Sequence, residues 1–215
     1  MDFVTFNHRF ALDIVESNHE LKLLWEEISD AIHAITDDRL KSEFKKSSTK
    51  MSLSDSINKL IDQELVSRDW TPQSAIFQGS EYSEKKWRLD FSKRISNPEA
   101  GISGVAVEVA FNHGEAIAWN LMKPVLAAEL NQVELETEIG SGIGVYICAT
   151  DELKSAGGFD GAVGEYEKVL RYLVPLFQKL TAPLIIVGLQ APKSFKIEKR
   201  KNAITNRNVG VLVDI

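Results

Sequence analysis

The sequence predicts an α/β fold in which a mixed central sheet is flanked by helices, and three observations carry that expectation. Strand-like and helix-like patterns alternate through the second half of the chain, as they do when crossover helices join strands of one sheet. The first half holds two long stretches with apolar residues at helical spacing. No segment reads as a flexible linker, so residues 1–215 are expected to form a single domain.

In chain order, a first helix is expected from Ser17, which stands at capping-box spacing from Glu20, through Leu21, Leu24, Trp25, Ile28, Ile32 and Ile35. A second follows the serine-rich Met51–Ser56, with Ile57, Leu60, Ile61 and Leu65 on one face, and stops before Trp70 and Pro72. Trp87–Phe91 and Val105–Phe111 alternate with the period of two that strands require. Between them, Asn97, Pro98 and Gly101 impose a turn. A helix from Glu115 to Leu130 is disturbed at Pro124, and strands at Val145–Ala149 and Leu184–Leu189 bracket a helix from Val163 to Leu180 containing Pro175. The glycines of 140–144 precede a strand instead of linking a strand to a helix, so they read as a turn and not as a phosphate-cradling loop.

Composition excludes several classes of protein. Hydrophobic residues are 44% and charged residues 26% of 215, which suits a globular chain with a real core. The first ten residues lack a signal-peptide pattern and no apolar run approaches bilayer length, so a cytoplasmic location is expected. The single cysteine, Cys148, lies in an apolar run, which precludes an intrachain disulfide and a cysteine-based zinc site. The four histidines show no zinc spacing, and no serine sits in a nucleophile elbow. The net charge of −6 argues against a nucleic-acid partner. Its distribution argues less strongly, because Lys85, Lys86, Arg88, Lys93 and Arg94 cluster, as do Lys193, Lys196, Lys199, Arg200, Lys201 and Arg207, while Glu129, Glu134, Glu136 and Glu138 lie elsewhere. Such runs are equally the composition of solvated faces.

Alternation on the two central strands places Trp87, Leu89 and Phe91 opposite Arg88 and Asp90, and Val105, Val107, Val109 and Phe111 opposite Ala106, Glu108, Ala110 and Asn112. If both apolar faces meet one core, Asp90 and Glu108 emerge together on the far face, beside Arg88. Paired carboxylates repel unless a cation lies between them. A hard divalent ion would do this, and salt bridges to Arg88 or Lys86 would do it equally well.

Leu89-Asp-Phe-Ser-Lys-Arg94 followed by Val107-Glu-Val-Ala-Phe-Asn112 resembles the active-site hairpin of the type II restriction endonucleases related to BglII and BstYI, within the PD-(D/E)XK nuclease superfamily. Further similarities follow in order: Phe6-Asn-His8, Leu24-Trp-Glu-Glu-Ile28, Glu64-Leu-Val66 with Trp70, Gly164-Glu-Tyr-Glu167 and Pro183–Gly188. The resemblance, spanning about residues 5 to 190, implies a restriction-endonuclease-like sheet with Asp90 and Glu108 as metal ligands and Gln73 beside them. It implies Mg²⁺, with Mn²⁺ as a substitute, and in-line hydrolysis of double-stranded DNA that leaves 5′-phosphates. It further implies a homodimer acting on a palindrome with a GATC core, and a cognate DNA methyltransferase. Asn112, His113, Lys154, Asp160 and Gly161 would contact DNA in sequence reading, and Arg88, Lys93 and Arg94 would add basic contacts.

The chain departs from this family in two ways. The turn between Asp90 and Glu108 is longer than in close relatives, and Ala110 stands where the superfamily has lysine and these relatives have glutamine or glutamate. Alanine neither binds metal nor handles a proton, so a water with Gln73, His113 or Glu115 would have to compensate. Otherwise the chain is a cleavage-deficient DNA-binding protein on the same fold, or a protein-interaction domain.

Overall fold

The computed structural model describes residues 1–95, 104–128, 142–201 and 206–215. The turn at Asn97, Pro98 and Gly101, the acidic group at Glu129, Glu134, Glu136 and Glu138, and the start of the 140–144 turn lie outside the described residues.

A six-stranded sheet organises the molecule, in the order β1-β6-β5-β4-β3-β2, and its strands are β1 (Phe3–His8), β2 (Thr71–Pro72), β3 (Phe91–Arg94), β4 (Gly104–Val109), β5 (Ile143–Ala149) and β6 (Leu184–Leu189). The β4-β5 and β5-β6 pairs are parallel and the others antiparallel, so the sheet is mixed, as the alternating pattern predicts. Helices α1 (Ala11–Ser17), α2 (His19–His33), α3 (Asp37–Lys45) and α4 (Ser54–Val66) precede the central hairpin. Helix α5 (Ile117–Ala128) links β4 to β5, while α6 (Asp151–Ala156) and α7 (Tyr166–Leu176) link β5 to β6. A two-stranded ribbon, β7 (Phe195–Lys201) with β8 (Asn208–Asp214), ends the chain. Among the described residues, no helix is long and apolar enough to cross a membrane.

Parallel central strands are buried on both faces, and the residues sort accordingly. Val105, Val107, Val145, Ile147, Ile185 and Val187 join the core built with α1, α2 and α4. Tyr146, Cys148, Leu184 and Ile186 face the other way, against Leu121 and Val125 of α5 and Val169 and Leu173 of α7. The face expected to be polar is therefore apolar and covered. Val109 and Phe111 follow the first core, whereas Ala110 faces the second. Cys148 is free and fully buried, as its apolar neighbours predict.

Several boundaries differ from expectation for local reasons. Asn18, not Ser17, caps α2: its side chain accepts the Leu21 amide, and Ser17 ends a short helix α1 that a seven-residue window conceals. The expected strand Trp87–Phe91 begins as a single 3-10 turn over Lys85–Trp87, and regular pairing starts only at Phe91. Its partner, Gln73, sits in the left-handed region at φ 49°, which breaks the ladder beyond Pro72 and leaves Ala75↔Arg88 as an isolated bridge. Helix α5 begins at Ile117, after a 3-10 turn over Gly114–Ala116, and α7 spans Tyr166–Leu176, ending next to Pro175. Strand β6 has the bounds its apolar run predicts. Helix α3, β1 and the β7-β8 ribbon escape the periodicity reading because each is short, polar on one side, or both.

Candidate active site

Strand β3 pairs with β4 in the register Phe91↔Val107, and one further step along the ladder sets Asp90 opposite Glu108. A hydrogen bond holds that arrangement: Asp90 Oδ2 accepts the amide of Val109 at 2.8 Å. The other carboxylate oxygen, Oδ1, accepts from Gln73 Nε2 at 3.2 Å, so the left-handed bend that breaks the ladder also brings Gln73 to the site. Asp90 and Glu108 line one cleft of about 400 Å³ together with Gln73, Arg88, Asn112 and Lys123.

Glu108 is buried, with 2% of its surface exposed, because α5 lies over its face of the sheet. Its Oε1 accepts from Lys123 Nζ at 2.7 Å, while Oε2 has no partner among the described residues. Burial, then the charge of Asp90, push the Glu108 carboxyl up to about 8, against the opposing pull of Lys123. Asp90 is raised as well, chiefly by burial and against the pull of the Val109 amide. Tyr146 stands beside Glu108 in the β4-β5 ladder, and Asn120 of α5 is buried with its Nδ2 unpartnered among the described residues.

Lys123 is the charged cleft residue that the sequence reading misses. The signal for it is its position as the single charge in the apolar helix Ile117–Ala128. The expected counter-charges behave differently: Arg88 Nη1 donates to the Gln73 carbonyl at 2.9 Å, and Lys86 pairs with Glu84. His113 and Glu115, suggested as substitutes for the missing polar group at Ala110, are exposed and do not line the cleft. Ala110 itself is buried against α5.

The residues expected to read DNA fall into two groups. Residues 112–114 run beside 162–164, with Gly164 N donating to Asn112 O, Gly114 N to Ala162 O, and a bridge between His113 and Val163. This brings exposed Asn112 and His113 next to the loop of Asp160 and Gly161. Asp160 Oδ1 accepts the Ala162 amide, which holds its carboxyl below the usual range, and a side chain built at Gly161 would meet open space. Lys154, by contrast, is helical in α6, and its Nζ lies 2.7 Å from Glu165, so it lies outside the loop that carries Asp160 and Gly161, which begins at Gly157. Lys93 points away from the cleft, where its Nζ bonds both oxygens of Glu27 and the Arg68 carbonyl. Arg94 is exposed beside a neighbouring groove, lined by Thr71 and Ser92, that shares Gln73 and Arg88 with the cleft.

Among the described residues no group of three or more histidine, cysteine, aspartate or glutamate side chains forms a closed metal cage. One buried and one half-buried carboxylate, with one unpartnered oxygen, nevertheless fit a magnesium-type ion, which takes one or two carboxylates and leaves its other positions to water and substrate phosphate.

Comparison with known proteins agrees with this geometry. Residues 3–189 match the family described as "Restriction endonuclease BglII/BglIII". Among solved structures, restriction endonuclease BglII complexed with a DNA 16-mer is similar over 100% of both chains, with 17% identity and a TM-score of 0.61. Free BglII is similar over 100% of both chains, with 14% identity and a TM-score of 0.49. No curated protein matches the sequence. The sheet is thus the restriction-endonuclease fold, and the match along most of the sequence decides the rest: the chain belongs to the BglII/BglIII family of restriction endonucleases, which makes it a type II restriction endonuclease.

Proposed function

We propose that residues 1–215 act as one endonuclease domain that hydrolyses double-stranded DNA at a palindromic site, with Mg²⁺ held by Asp90 and Glu108. One observation carries the reading: the carboxylate of Asp90, just before β3, and that of Glu108 in β4 share one cleft, where Glu108 is buried and its Oε2 has no hydrogen-bond partner among the described residues. The similarity to a BglII structure complexed with DNA supports duplex DNA as the substrate.

When bound, a divalent ion neutralises the scissile phosphate and makes water a competent nucleophile at neutral pH. The chain's own residues do the positioning. Asp90 is held at a fixed angle by the Val109 amide and by Gln73. The lid of α5 excludes solvent from Glu108, which strengthens every charge interaction in the cleft. Water adds to phosphorus, the bond to the 3′ oxygen breaks, and the products carry a 5′-phosphate and a 3′-hydroxyl. Asn112, His113, Asp160 and Gly161, gathered at one edge, read base edges, and Arg88 meets the backbone.

One such centre cuts one strand, so a symmetric homodimer on a palindrome, with GATC at its core, is the natural form of the enzyme. A companion DNA methyltransferase and a cytoplasmic location complete this reading. Ala110 favours a second reading, a DNA-binding protein of the same fold without cleavage.

Purified protein incubated with plasmids of varied sequence and Mg²⁺ should yield discrete fragments with 5′-phosphate ends, and Asp90→Ala and Glu108→Ala should yield none. Undiminished cutting by both variants overturns the site, and a duplex gel shift without cutting in any divalent metal selects the second reading.

A further inference from the structure

We propose that Lys123 is a catalytic residue of this nuclease, its ammonium released from Glu108 when DNA and metal arrive and then held against the scissile phosphate. The inference rests on the nuclease reading above and concerns how that site is completed.

Helix α5 is apolar from Ile117 to Ala128 except at Asn120 and Lys123, which stand three residues apart on the side turned to the cleft. Lys123 is 8% exposed, and burying an ammonium costs several kcal/mol unless its partners compensate fully. Its partner does not compensate fully. Glu108 uses one oxygen for Lys123, and the other makes no hydrogen bond among the described residues, although the Asp90 amide pulls on the carboxyl. Glu43 shows what a settled buried carboxylate looks like in this protein, with Lys46 at 2.6 Å on one oxygen and Lys59 at 2.9 Å on the other. The Lys123–Glu108 pair is therefore half-built, and its open side faces the cleft.

The strand supplies no cation of its own. Ala110, the next residue on the Glu108 side of β4, is sealed against the apolar face of α5. Lys123 reaches the same carboxylate from the helix above. With Asp90 and Glu108 holding a divalent ion, the Lys123 ammonium would lose Glu108 as its counter-charge and would be left to pair with the phosphate that enters the cleft. The ammonium donates hydrogen bonds to a non-bridging phosphate oxygen as water adds to phosphorus and the 3′ oxygen departs, and the protons exchanged by water and leaving group pass to and from solvent.

The test combines Lys123→Met, Lys123→Ala and Lys123→Arg with Asp90→Ala as control. Lys123→Met should slow cleavage by about 10²–10³-fold, the usual cost of losing one donor to a developing charge, while metal-free duplex affinity changes by less than about threefold. Ethylammonium should restore cleavage by Lys123→Ala in a saturable manner and leave Asp90→Ala inert, and Lys123→Arg should fall between Met and wild type. A second readout needs no turnover: Mn²⁺ titrated into DNA-free Lys123→Met should bind about tenfold tighter than to wild type, because no ammonium repels the ion or competes for Oε1. If Met fails to fold, Lys123→Gln takes its place, keeping the hydrogen bond without the charge. Cleavage by Lys123→Met within about threefold of wild type, or rescue absent at every amine concentration, overturns the inference while the loss in Asp90→Ala upholds the nuclease. A wild type that cuts no DNA instead overturns the nuclease reading, and unchanged or weaker Mn²⁺ binding by Lys123→Met still rejects the role of Lys123.

Discussion

The carboxylate of Asp90 is fastened to the backbone of the adjacent strand, with Oδ2 accepting the amide of Val109 at 2.8 Å, one residue beyond Glu108. That bond, with the one from Gln73 to Oδ1, holds Asp90 beside Glu108 against the repulsion of two carboxylates. Asp90→Asn keeps an acceptor for that amide and removes the repulsion, so it should preserve thermal stability or raise it. Asp90→Ala should cost about 1–3 kcal/mol by leaving the amide unpaired. Both should lose cleavage by at least about 10²-fold, measured as initial rates on a linear duplex beside a thermal melt of each variant.

Glu43, buried between α3 and α4, has its carboxyl held down to about 2 by Lys46 and Lys59. A carboxyl whose folded-state pKa lies below its unfolded value stabilises the protein above the unfolded value, and that contribution fades as pH falls through the folded one. Glu43→Gln should therefore lower the melting temperature at pH 7, by an amount corresponding to about 1–3 kcal/mol. The gap from wild type should close between about pH 4.5 and 2. A gap that stays constant over that range would mean that packing, not charge, makes Glu43 stabilising.

Lys93 is spent internally, on Glu27 and the Arg68 carbonyl, although it belongs to a basic cluster that suggested DNA contact. Glu27 also accepts from Trp70 Nε1 at 2.7 Å, so the lysine anchors β3 to α2 and to the end of α4. Lys93→Met should reduce stability in urea by about 1–2 kcal/mol and leave the salt dependence of duplex binding unchanged. A shallower salt slope would return Lys93 to the DNA interface.

Gly188 lies where β6 passes beneath the first residue of α7, and a Cβ there would come within 2.7 Å of the Tyr166 ring and 3.0 Å of Thr150. Both neighbours are fixed by secondary structure on opposite sides of the same crossover. Gly188→Ala should destabilise by about 1–3 kcal/mol through overpacking. Truncating Tyr166 in the same chain should recover part of the loss, which a double-mutant cycle in urea would measure.

Short-range pattern made much of this legible. Ile185 and Val187 on one face of β6, with Leu184 and Ile186 on the other, carry both cores in a run of apolar residues, and the bounds of that strand follow directly. The alternation through Val105, Val107 and Glu108 likewise places the acidic side chain on the face away from Val107. The resemblance of Leu89–Arg94 and Val107–Asn112 to one nuclease group agrees with the family match over residues 3–189. The boundary errors sit where a single residue's conformation overrides pattern, as Gln73 does with its left-handed backbone.

Sequence alone determined the mixed sheet, the neighbouring segments that bear Asp90 and Glu108, and the impossibility of an intrachain disulfide with one cysteine, because period and residue type are local properties. Only tertiary structure decided that the acidic face is roofed by α5, that Lys123 meets Glu108 from fifteen residues away, and that Lys93 and Lys154 are neutralised at home. Those outcomes depend on which helix lies over which strand, and burial of apolar surface across the whole chain, not the spacing within any segment, sets that choice.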